Sequence, residues 1–202
     1  MDVAILAGGR ARRLGGVDKG ALHVGRVSIF ERQLAALDGL ADEVVVVGGE
    51  PARFDGYRVR VVPDRLPGCG ALGGIYTALC ETRAPRVLVI ACDLPFVSAP
   101  VLARLASLAD EASDAVVPRT ADGVQPLCAV YAHRLKRRVR RYIESGHLKI
   151  QDLLGAIRVR ELGPDEIASI DPTGRSFFNV NTPGDFEQAV RLAARVDRHA
   201  RG

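Results

Sequence analysis

The chain has 202 residues and 48% of them are apolar, which predicts a single domain over residues 1–202 with a substantial core. Its 28 basic and 24 acidic residues nearly balance, and this argues against a disordered or polyelectrolyte chain. Four cysteines and four histidines are scattered along the sequence, so it carries no pattern of a zinc finger, zinc ribbon or disulfide framework.

Short β-branched runs alternate with helical patterns along the chain. In chain order they predict strand Val3–Ala7, helix Ser28–Leu40, strands Val44–Val47 and Val59–Val62, helix Gly74–Thr82, strand Val87–Ala91, helix Pro100–Ala109, strands Ala115–Val117 and Leu127–Tyr131, helices Arg134–Ser145 and Ile150–Leu154, strand Ile157–Leu162 and helix Pro183–Arg195. This alternation predicts a layered α/β domain with right-handed crossovers. Several strands are apolar throughout, as expected of parallel strands covered on both faces. Ser28 and Glu31 form a capping-box pattern at the first helix.

Neither a membrane span nor a secretion signal is predicted. The longest charge-free stretch, Leu66–Cys80, contains four glycines and a proline, and the first apolar run, Val3–Ala7, is short. We therefore expect a cytoplasmic protein without a membrane partner.

One segment concentrates the basic charge of the chain. Arg134–Arg141 carries six basic residues and no acid, a pattern that nucleic-acid-binding proteins also show. Aromatic residues make up only 5% of the chain and Trp is absent, so surfaces for base stacking are scarce. We interpret the segment as the solvated face of a helix and expect no nucleic-acid partner; an anionic ligand or partner is the alternative.

A glycine-rich, cationic loop follows the first predicted strand. Residues 6–19 read Leu-Ala-Gly-Gly-Arg-Ala-Arg-Arg-Leu-Gly-Gly-Val-Asp-Lys. Its glycine pairs let the backbone turn sharply and present N–H groups to anionic oxygens, while three arginines and Lys19 add cationic donors. The pattern favours binding of a triphosphate over an ordinary solvated turn. Because no Gly-Lys-Ser or Gly-Lys-Thr occurs, the loop is not that of a P-loop ATPase or GTPase.

A second glycine motif matches the dinucleotide fingerprint. Gly68–Gly73 has the spacing Gly-x-Gly-x-x-Gly, and Asp93 follows some twenty residues later. The fingerprint should begin directly after a strand, whereas Pro63–Pro67 intervenes here. A dehydrogenase is therefore the less favoured interpretation.

Two aspartates follow predicted strands, at the edge where α/β sheets bind ligands. Asp93 comes after a buried run and suits Mg²⁺, which takes one or two carboxylates together with substrate phosphates. Asp64 is better suited to a hydrogen bond with a nucleotide; for both, a capping or turn role is the alternative. Further along, Asn179 and Asn181 alternate around Val180, and paired amides can contact a polar heterocycle. The same segment is also a good helix start.

The complete set of motifs resembles the molybdenum cofactor guanylyltransferases, which form molybdopterin guanine dinucleotide. The motifs that carry the resemblance are Leu6-Ala7-Gly8-Gly9, Arg13-Leu14-Gly15-Gly16-Val17-Asp18-Lys19, Pro63-Asp64, Gly70-Ala71-Leu72-Gly73-Gly74-Ile75, Cys92-Asp93-Leu94-Pro95, Gln125-Pro126-Leu127 and Asn179-Val180-Asn181-Thr182-Pro183. The resemblance implies a three-layer α/β fold with a mostly parallel sheet and Rossmann-like topology, of the nucleotide-diphospho-sugar transferase type. It implies a nucleotide-binding part at about residues 1–100 and a pterin-side part at about residues 101–195.

The resemblance also implies roles for individual residues in guanylyl transfer from GTP to molybdenum-molybdopterin. The implied nucleotide-binding residues are Leu6, Ala7, Gly8, Gly9, Lys19, Asp64 and Asp93. The implied catalytic residues are Arg13, Lys19 and Asp93, with Asp93 as the ligand of a Mg²⁺ cofactor, and the implied pterin-binding residues are Lys149, Asn179 and Asn181.

Other functions remain open on the sequence alone. A sister enzyme that uses CTP, or one that acts on a sugar phosphate, has related motifs; the pair Gly8-Gly9 resembles the guanylyl branch. A non-catalytic nucleotide sensor or cofactor chaperone is a different class, against which Lys19 and Asp93 argue. We expect a monomer whose protein partners are molybdopterin-inserting proteins and molybdoenzyme chaperones.

Overall fold

The computed structural model describes residues 1–8 and 19–199. The strands are β1 Asp2–Leu6, β2 His23–Val24, β3 Val27–Ser28, β4 Val44–Val47, β5 Arg60–Val62, β6 Arg86–Ala91, β7 Ala115–Thr120, β8 Gly123–Val124, β9 Cys128–Ala132 and β10 Val159–Leu162. The helices are α1 Ile29–Ala36, α2 Gly70–Glu81, α3 Ala99–Ser107, α4 Lys136–Glu144, α5 Ile150–Gly155, α6 Pro164–Ile170 and α7 Pro183–His199. None of these helices is long and apolar enough to cross a membrane.

The main sheet has the strand order β10-β7-β9-β6-β1-β4-β5, with β8 paired to β7 at one end. Strand β1 lies between β4 and β6 and is parallel to both. Strand β9 is antiparallel to its neighbours β6 and β7. The prediction of a mostly parallel sheet is therefore confirmed, with β9 and the short strand β8 as its antiparallel members. Strands β2 and β3 form a separate hairpin.

Alternate side chains of the central strands build two apolar layers. Val3 and Ile5 point to the layer that contains α1, α3 and α6, whereas Ala4 and Leu6 point to the layer that contains α2, α4 and α5. All four side chains are buried, which explains why β1 has no polar alternation. A smaller cluster packs α7 against the β2–β3 hairpin through Val24, Ile29, Val180, Ala189 and Ala193.

The start of α1 shows how local sequence sets an element boundary. The backbone N–H of Glu31 donates to Ser28 Oγ at 3.1 Å, and the backbone N–H of Ser28 donates to Glu31 Oε2 at 2.6 Å. This confirms the predicted capping box, and these hydrogen bonds lower the pKa of Glu31.

A buried carboxylate joins the edge strand to the rest of the sheet. Asp114 accepts hydrogen bonds from Arg134 Nε at 2.9 Å and from the backbone N–H of Arg158 at 3.0 Å. Burial raises the pKa of Asp114, but hydrogen bonds from Arg158 and Arg134 outweigh it and hold the pKa well below its ordinary value.

The structure differs from the predicted elements in two respects. Helix α2 begins at Gly70 rather than Gly74. Glycines are unfavourable in an isolated helix, but in this protein they let the first turns of α2 approach neighbouring segments closely. A Cβ on Gly73 would lie 2.7 Å from Leu66 O, and one on Gly74 would lie 3.0 Å from Leu6 Cδ1. The β2–β3 hairpin, β8 and α6 were not predicted.

Candidate active site

The loops that follow β1, β4 and β6 meet at one edge of the sheet. The register pairs Leu6 at the end of β1 with Val47 of β4 and Ala91 of β6. Because the strands are parallel, their carboxyl ends lie together, as expected of a ligand-binding edge.

Two glycines allow the first loops at this edge to touch. Gly48 has a φ of +76°, and a Cβ on it would lie 2.9 Å from Gly8 Cα. The backbone N–H groups of Ala7 and Gly8 both donate to Val47 O, at 2.9 and 3.1 Å. These two N–H groups are thus engaged within the protein, so a ligand beside residues 6–8 would meet other backbone atoms. The predicted contact of a ligand with N–H groups of this loop therefore falls on residues 9–18, which lie outside the described residues.

Part of the predicted phosphate-binding loop lies outside the described residues. Gly9 and Arg13 belong to this part, as does the side chain of Lys19. The backbone of Lys19 begins a 3₁₀ turn, Lys19–Ala21, that leads into the β2–β3 hairpin.

The backbone around Asp93 is held from both sides of the site. The N–H of Cys92 donates to Leu6 O at 3.2 Å, which fixes the end of β6 beside the end of β1. The N–H of Val180 donates to Asp93 O at 2.9 Å, which attaches the segment between Asn179 and Asn181 to the same point. The structure therefore brings together Leu6, Asp93, Asn179 and Asn181, which are far apart in the sequence.

Asp64 lies at the same edge and has a structural role there. Its Oδ1 accepts hydrogen bonds from the N–H of Leu66 at 3.0 Å and from Thr77 Oγ1 at 2.9 Å. These bonds close the loop between β5 and α2. A Cβ on Gly48 would lie 4.0 Å from the Cβ of Asp64, so the carboxylate belongs to the group of loops around Gly8. The turn role is confirmed, and the second oxygen, Oδ2, is the one suited to a ligand.

The segment before α7 combines a helix cap with two amide side chains. The backbone N–H groups of Asn181 and Thr182 donate to Asp185 Oδ2 at 2.9 and 2.8 Å. The helix-start interpretation is therefore confirmed. Val180 is fully buried, whereas Asn179 is half-buried and Asn181 is exposed, so the amides flank an inward-pointing valine.

Lys149 lies at the start of α5. It is the exposed N-cap residue of α5, whose Ile150 and Leu153 pack in the layer of α2 and α4. The segment with Asn179 and Asn181 follows Phe177, which packs in the opposite layer. The hydrogen bonds that join Cys92 to Leu6 and Val180 to Asp93 do not extend to Lys149.

The structure adds two side chains that sequence reasoning missed. Gln33 is fully buried, and its Nε2 donates to Ala91 O at 2.8 Å and to Leu94 O at 3.2 Å, on either side of Asp93. Arg53 is half-buried, its guanidinium carbon lies 5.3 Å from the Phe54 ring centre, and burial lowers its pKa while Cys92 raises it. A polar residue within the apolar face of α1 was the available signal for Gln33; Arg53 had none.

The carboxylates at this edge could hold Mg²⁺ only if the phosphates of a substrate supplied further ligands. Among residues 1–8 and 19–199, no three His, Cys, Asp or Glu side chains form a group that could hold a metal ion. Mg²⁺ in nucleotide sites needs only one or two carboxylates, since phosphate oxygens and water supply the other ligands. Asp93 meets that requirement because it follows β6 beside the end of β1.

Comparison with known proteins identifies the family. The model of the MobA-like NTP transferase domain matches residues 3–161. The chain belongs to this family. Among its MobA-like relatives, a probable molybdenum cofactor guanylyltransferase of Pelotomaculum thermopropionicum is 37% identical, with 94% of this chain and 91% of the relative aligned. A molybdenum cofactor guanylyltransferase of Desulfosudis oleivorans is 30% identical, with 92% of each chain aligned.

Solved structures agree with the MobA-like fold. Molybdopterin-guanine dinucleotide biosynthesis protein A of Archaeoglobus fulgidus is 28% identical with a TM-score of 0.82, covering 96% of this chain and all of that one (100%). A 2-C-methyl-D-erythritol 4-phosphate cytidylyltransferase of Thermus thermophilus is 23% identical with a TM-score of 0.68, covering 96% of this chain and 98% of that one. The predicted α/β fold of the nucleotide-diphospho-sugar transferase type is thereby confirmed.

Proposed function

We propose that the chain transfers GMP from GTP to the terminal phosphate of molybdenum-molybdopterin, giving the guanine dinucleotide cofactor and pyrophosphate. Relatives named for this activity support the proposal over nearly the full chain length. The structural observation that carries it is the pair of backbone hydrogen bonds that link Leu6 to Cys92 and Asp93 to Val180. Through them, the nucleotide-side loop, the metal-binding carboxylate and the pterin-side amides share one edge.

The nucleotide would lie across the loops of residues 1–100. In this arrangement Leu6, Ala7, Gly8 and Gly9 contact the nucleoside end, and Asp64 offers Oδ2 for a further hydrogen bond. Arg13 and Lys19 contact the phosphates, where their charge offsets the charge that develops as pyrophosphate leaves.

Asp93 is the residue that would hold Mg²⁺ against the phosphates. When bound, the ion would neutralise phosphate charge and favour departure of pyrophosphate. Asp93 is suited to this role because Leu6 and Val180 fix its backbone, so the carboxylate need not reorganise when the triphosphate binds.

The acceptor would approach from the side of residues 101–195. Asn179 and Asn181 would contact the pterin through amide donors and acceptors, and Lys149 would attract an anionic group at the edge of this region. The acceptor phosphate oxygen attacks the α-phosphorus of GTP, a new P–O–P link forms, and the bond to pyrophosphate breaks. No covalent bond to the protein is needed, so positioning and charge neutralisation account for the catalysis.

Calorimetric titration with GTP, CTP and ATP, each with and without Mg²⁺, tests the nucleotide assignment. We expect GTP to bind at least about tenfold more tightly than CTP, which corresponds to about 1.4 kcal/mol. Preference for CTP would assign the chain to the sister cytidylyl activity. Asp93→Asn should abolish turnover, and normal turnover by this variant would exclude the role proposed for Asp93. Nucleotide binding without any transfer by the wild-type protein would favour a non-catalytic cofactor chaperone.

A further inference from the structure

The exposed face of α4 is the most concentrated positive surface among the described residues. The nine residues of α4 include Lys136, Arg137, Arg138, Arg140 and Arg141, and its one acid is Glu144. Arg140 pairs with Glu144 at 2.6 Å, and Arg138 donates to Ala156 O at 2.9 Å. The side chains of Lys136, Arg137 and Arg141 form no hydrogen bond or ion pair with residues 1–8 or 19–199.

Several arginines elsewhere on the described surface have acidic partners. Arg60 pairs with Glu81 at 3.0 Å, and Arg119 pairs with Glu161 at 2.6 Å. What distinguishes α4 is that three basic side chains without such partners among the described residues lie together on one helix.

This arrangement of charge weakens the helix that carries it. The first turn of α4 contains basic residues and no acid, although a helix N-terminus favours negative charge. Like charges one turn apart, such as Arg137 and Arg141, also repel each other. Local stability does not explain these residues, whereas an anionic partner would.

Two concavities lie along the same face. One, of about 530 Å³, is lined by Tyr76, Arg137 and Arg140 among others, and the second, of about 470 Å³, is lined by Tyr142 and His147 among others. Arg141 lines both. The two hollows adjoin at Arg141, and the second is also lined by one acid, Asp152. We call the surface formed by Tyr76, Lys136, Arg137, Arg140, Arg141 and His147 the basic groove.

The loop after α4 adds an apolar contact point beside the basic groove. Leu148 is 43% exposed, although most large apolar side chains of the described residues are covered. It lies between His147, whose ring centre is 5.8 Å from that of Tyr142, and Lys149 at the start of α5. Positive charge, a concave shape and one exposed leucine together fit an acidic polypeptide that carries an apolar residue.

Other anionic partners fit this surface less well. The apolar residues Val139, Tyr142 and Ile143 of α4 pack into the core, so α4 has no apolar face to insert into a lipid surface. Helix α2 packs beside α4, and the face is concave, which disfavours insertion into a duplex groove.

We infer that the basic groove on α4, together with Leu148, is a docking surface for an acidic segment of a partner protein. The lining of the groove includes neither Asp93 nor the residues that contact its backbone, so this inference does not rest on the proposed transfer activity. Strand β9 ends where the N–H of His133 donates to Pro85 O at 2.9 Å, and α4 starts there, at the edge opposite Asp93. The partner would bind along the flank of the molecule and leave the nucleotide loops open.

Fluorescence anisotropy with a labelled synthetic peptide of glutamates and one central leucine tests the inference. The variant with Lys136→Glu, Arg137→Glu and Arg141→Glu should bind the peptide at least about tenfold more weakly than wild type, a change of about 1.4 kcal/mol. The matched control reverses three exposed arginines elsewhere, Arg26→Glu, Arg58→Glu and Arg83→Glu, and should change binding by less than about twofold. Leu148→Ser should weaken binding severalfold.

The outcomes separate the partner classes. Equal weakening by both triple variants, or no effect of Leu148→Ser, would overturn the inference. So would tighter binding of duplex DNA, or of vesicles of phosphatidylcholine and phosphatidylglycerol, with the same dependence on α4. Lys136→Glu and Arg137→Glu place negative charge in the first turn of α4, where the helix dipole favours it, so the α4 variant should stay folded. If it unfolds, Arg137→Gln with Arg141→Gln provides the same comparison. Either variant should retain GTP-dependent transfer, which distinguishes failure of docking from failure of the proposed function.

Discussion

The buried amide of Gln33 holds the turn that presents Asp93, and Gln33→Met tests this role. Nε2 of Gln33 donates to Ala91 O at 2.8 Å and to Leu94 O at 3.2 Å, and the side chain is 0% exposed. Methionine has a similar length and volume, so the substitution removes both hydrogen bonds with little change in packing.

The expected loss of stability follows from these contacts. Each buried carbonyl left without its donor costs about 1–3 kcal/mol, hence about 2–6 kcal/mol for the two. Oε1 of Gln33 is itself buried and accepts no hydrogen bond from the described residues, so removing it returns about 1–3 kcal/mol. The free energy of unfolding should therefore fall by about 1–3 kcal/mol, measured by urea denaturation.

Steady-state kinetics separate a positioning role from a purely structural one. The proposed role of Asp93 at the phosphates requires a fixed turn, so release of the turn should lower kcat at least about tenfold, or about 1.4 kcal/mol. KM for GTP should change less, because the nucleoside end is bound elsewhere. Gln188→Met, on an exposed position of α7, should alter neither stability nor kcat. A folded Gln33→Met protein with wild-type kcat would refute the positioning role.

Three further predictions concern the fold around the site. Gly48→Ala should lower the free energy of unfolding by at least about 1 kcal/mol more than Gly39→Ala. Both glycines have a positive φ, but only at Gly48 would a Cβ lie 2.9 Å from Gly8 Cα. Equal losses in urea denaturation would contradict this contact. Asp114→Asn should be less stable than wild type at neutral pH and should lose less stability on acidification. The reason is that the lowered pKa of Asp114 in the folded protein stabilises the fold at pH values above the ordinary pKa near 3.9, and this stabilisation is lost as the pH falls below it. Parallel losses of the two proteins in thermal unfolding at a series of pH values would exclude that role. Burial raises the pKa of Cys128 to about 12, so iodoacetamide should leave it unmodified in the native protein by mass spectrometry, and rapid alkylation would contradict the buried thiol.

The central sheet was predictable because its strands are continuous apolar runs. Asp2–Leu6, Val44–Val47 and Arg86–Ala91 are buried on both faces, so their sequences are nearly free of polar residues. The two-residue strands of the β2–β3 hairpin are too short for any periodicity to show. Helix α6 has Pro164 and two acids in its first turn, which is a helix-start signal, but its seven residues are too few for an apolar period to show.

The candidate site was predictable in its residue types but not in its internal contacts. The position of Asp93 after a buried strand indicated the ligand edge, and the structure places it there. The hydrogen bonds of its backbone to Val180, and of Gln33 to its neighbours, connect distant segments, and no local pattern encodes such pairings. The same limit applies to Ala7, whose N–H turns to Val47 O only because β4 lies beside β1.

Tracing the phosphates of GTP in a transfer reaction tests the central claim most directly. The purified protein is incubated with Mg²⁺, molybdenum-molybdopterin and GTP labelled either at the α-phosphate or at the γ-phosphate. Guanylyl transfer predicts that the α-label enters the dinucleotide cofactor while the γ-label leaves as pyrophosphate, and that Asp93→Asn prevents both. Transfer from CTP instead of GTP, or release of the α-label as free GMP with no labelled cofactor, would contradict the account.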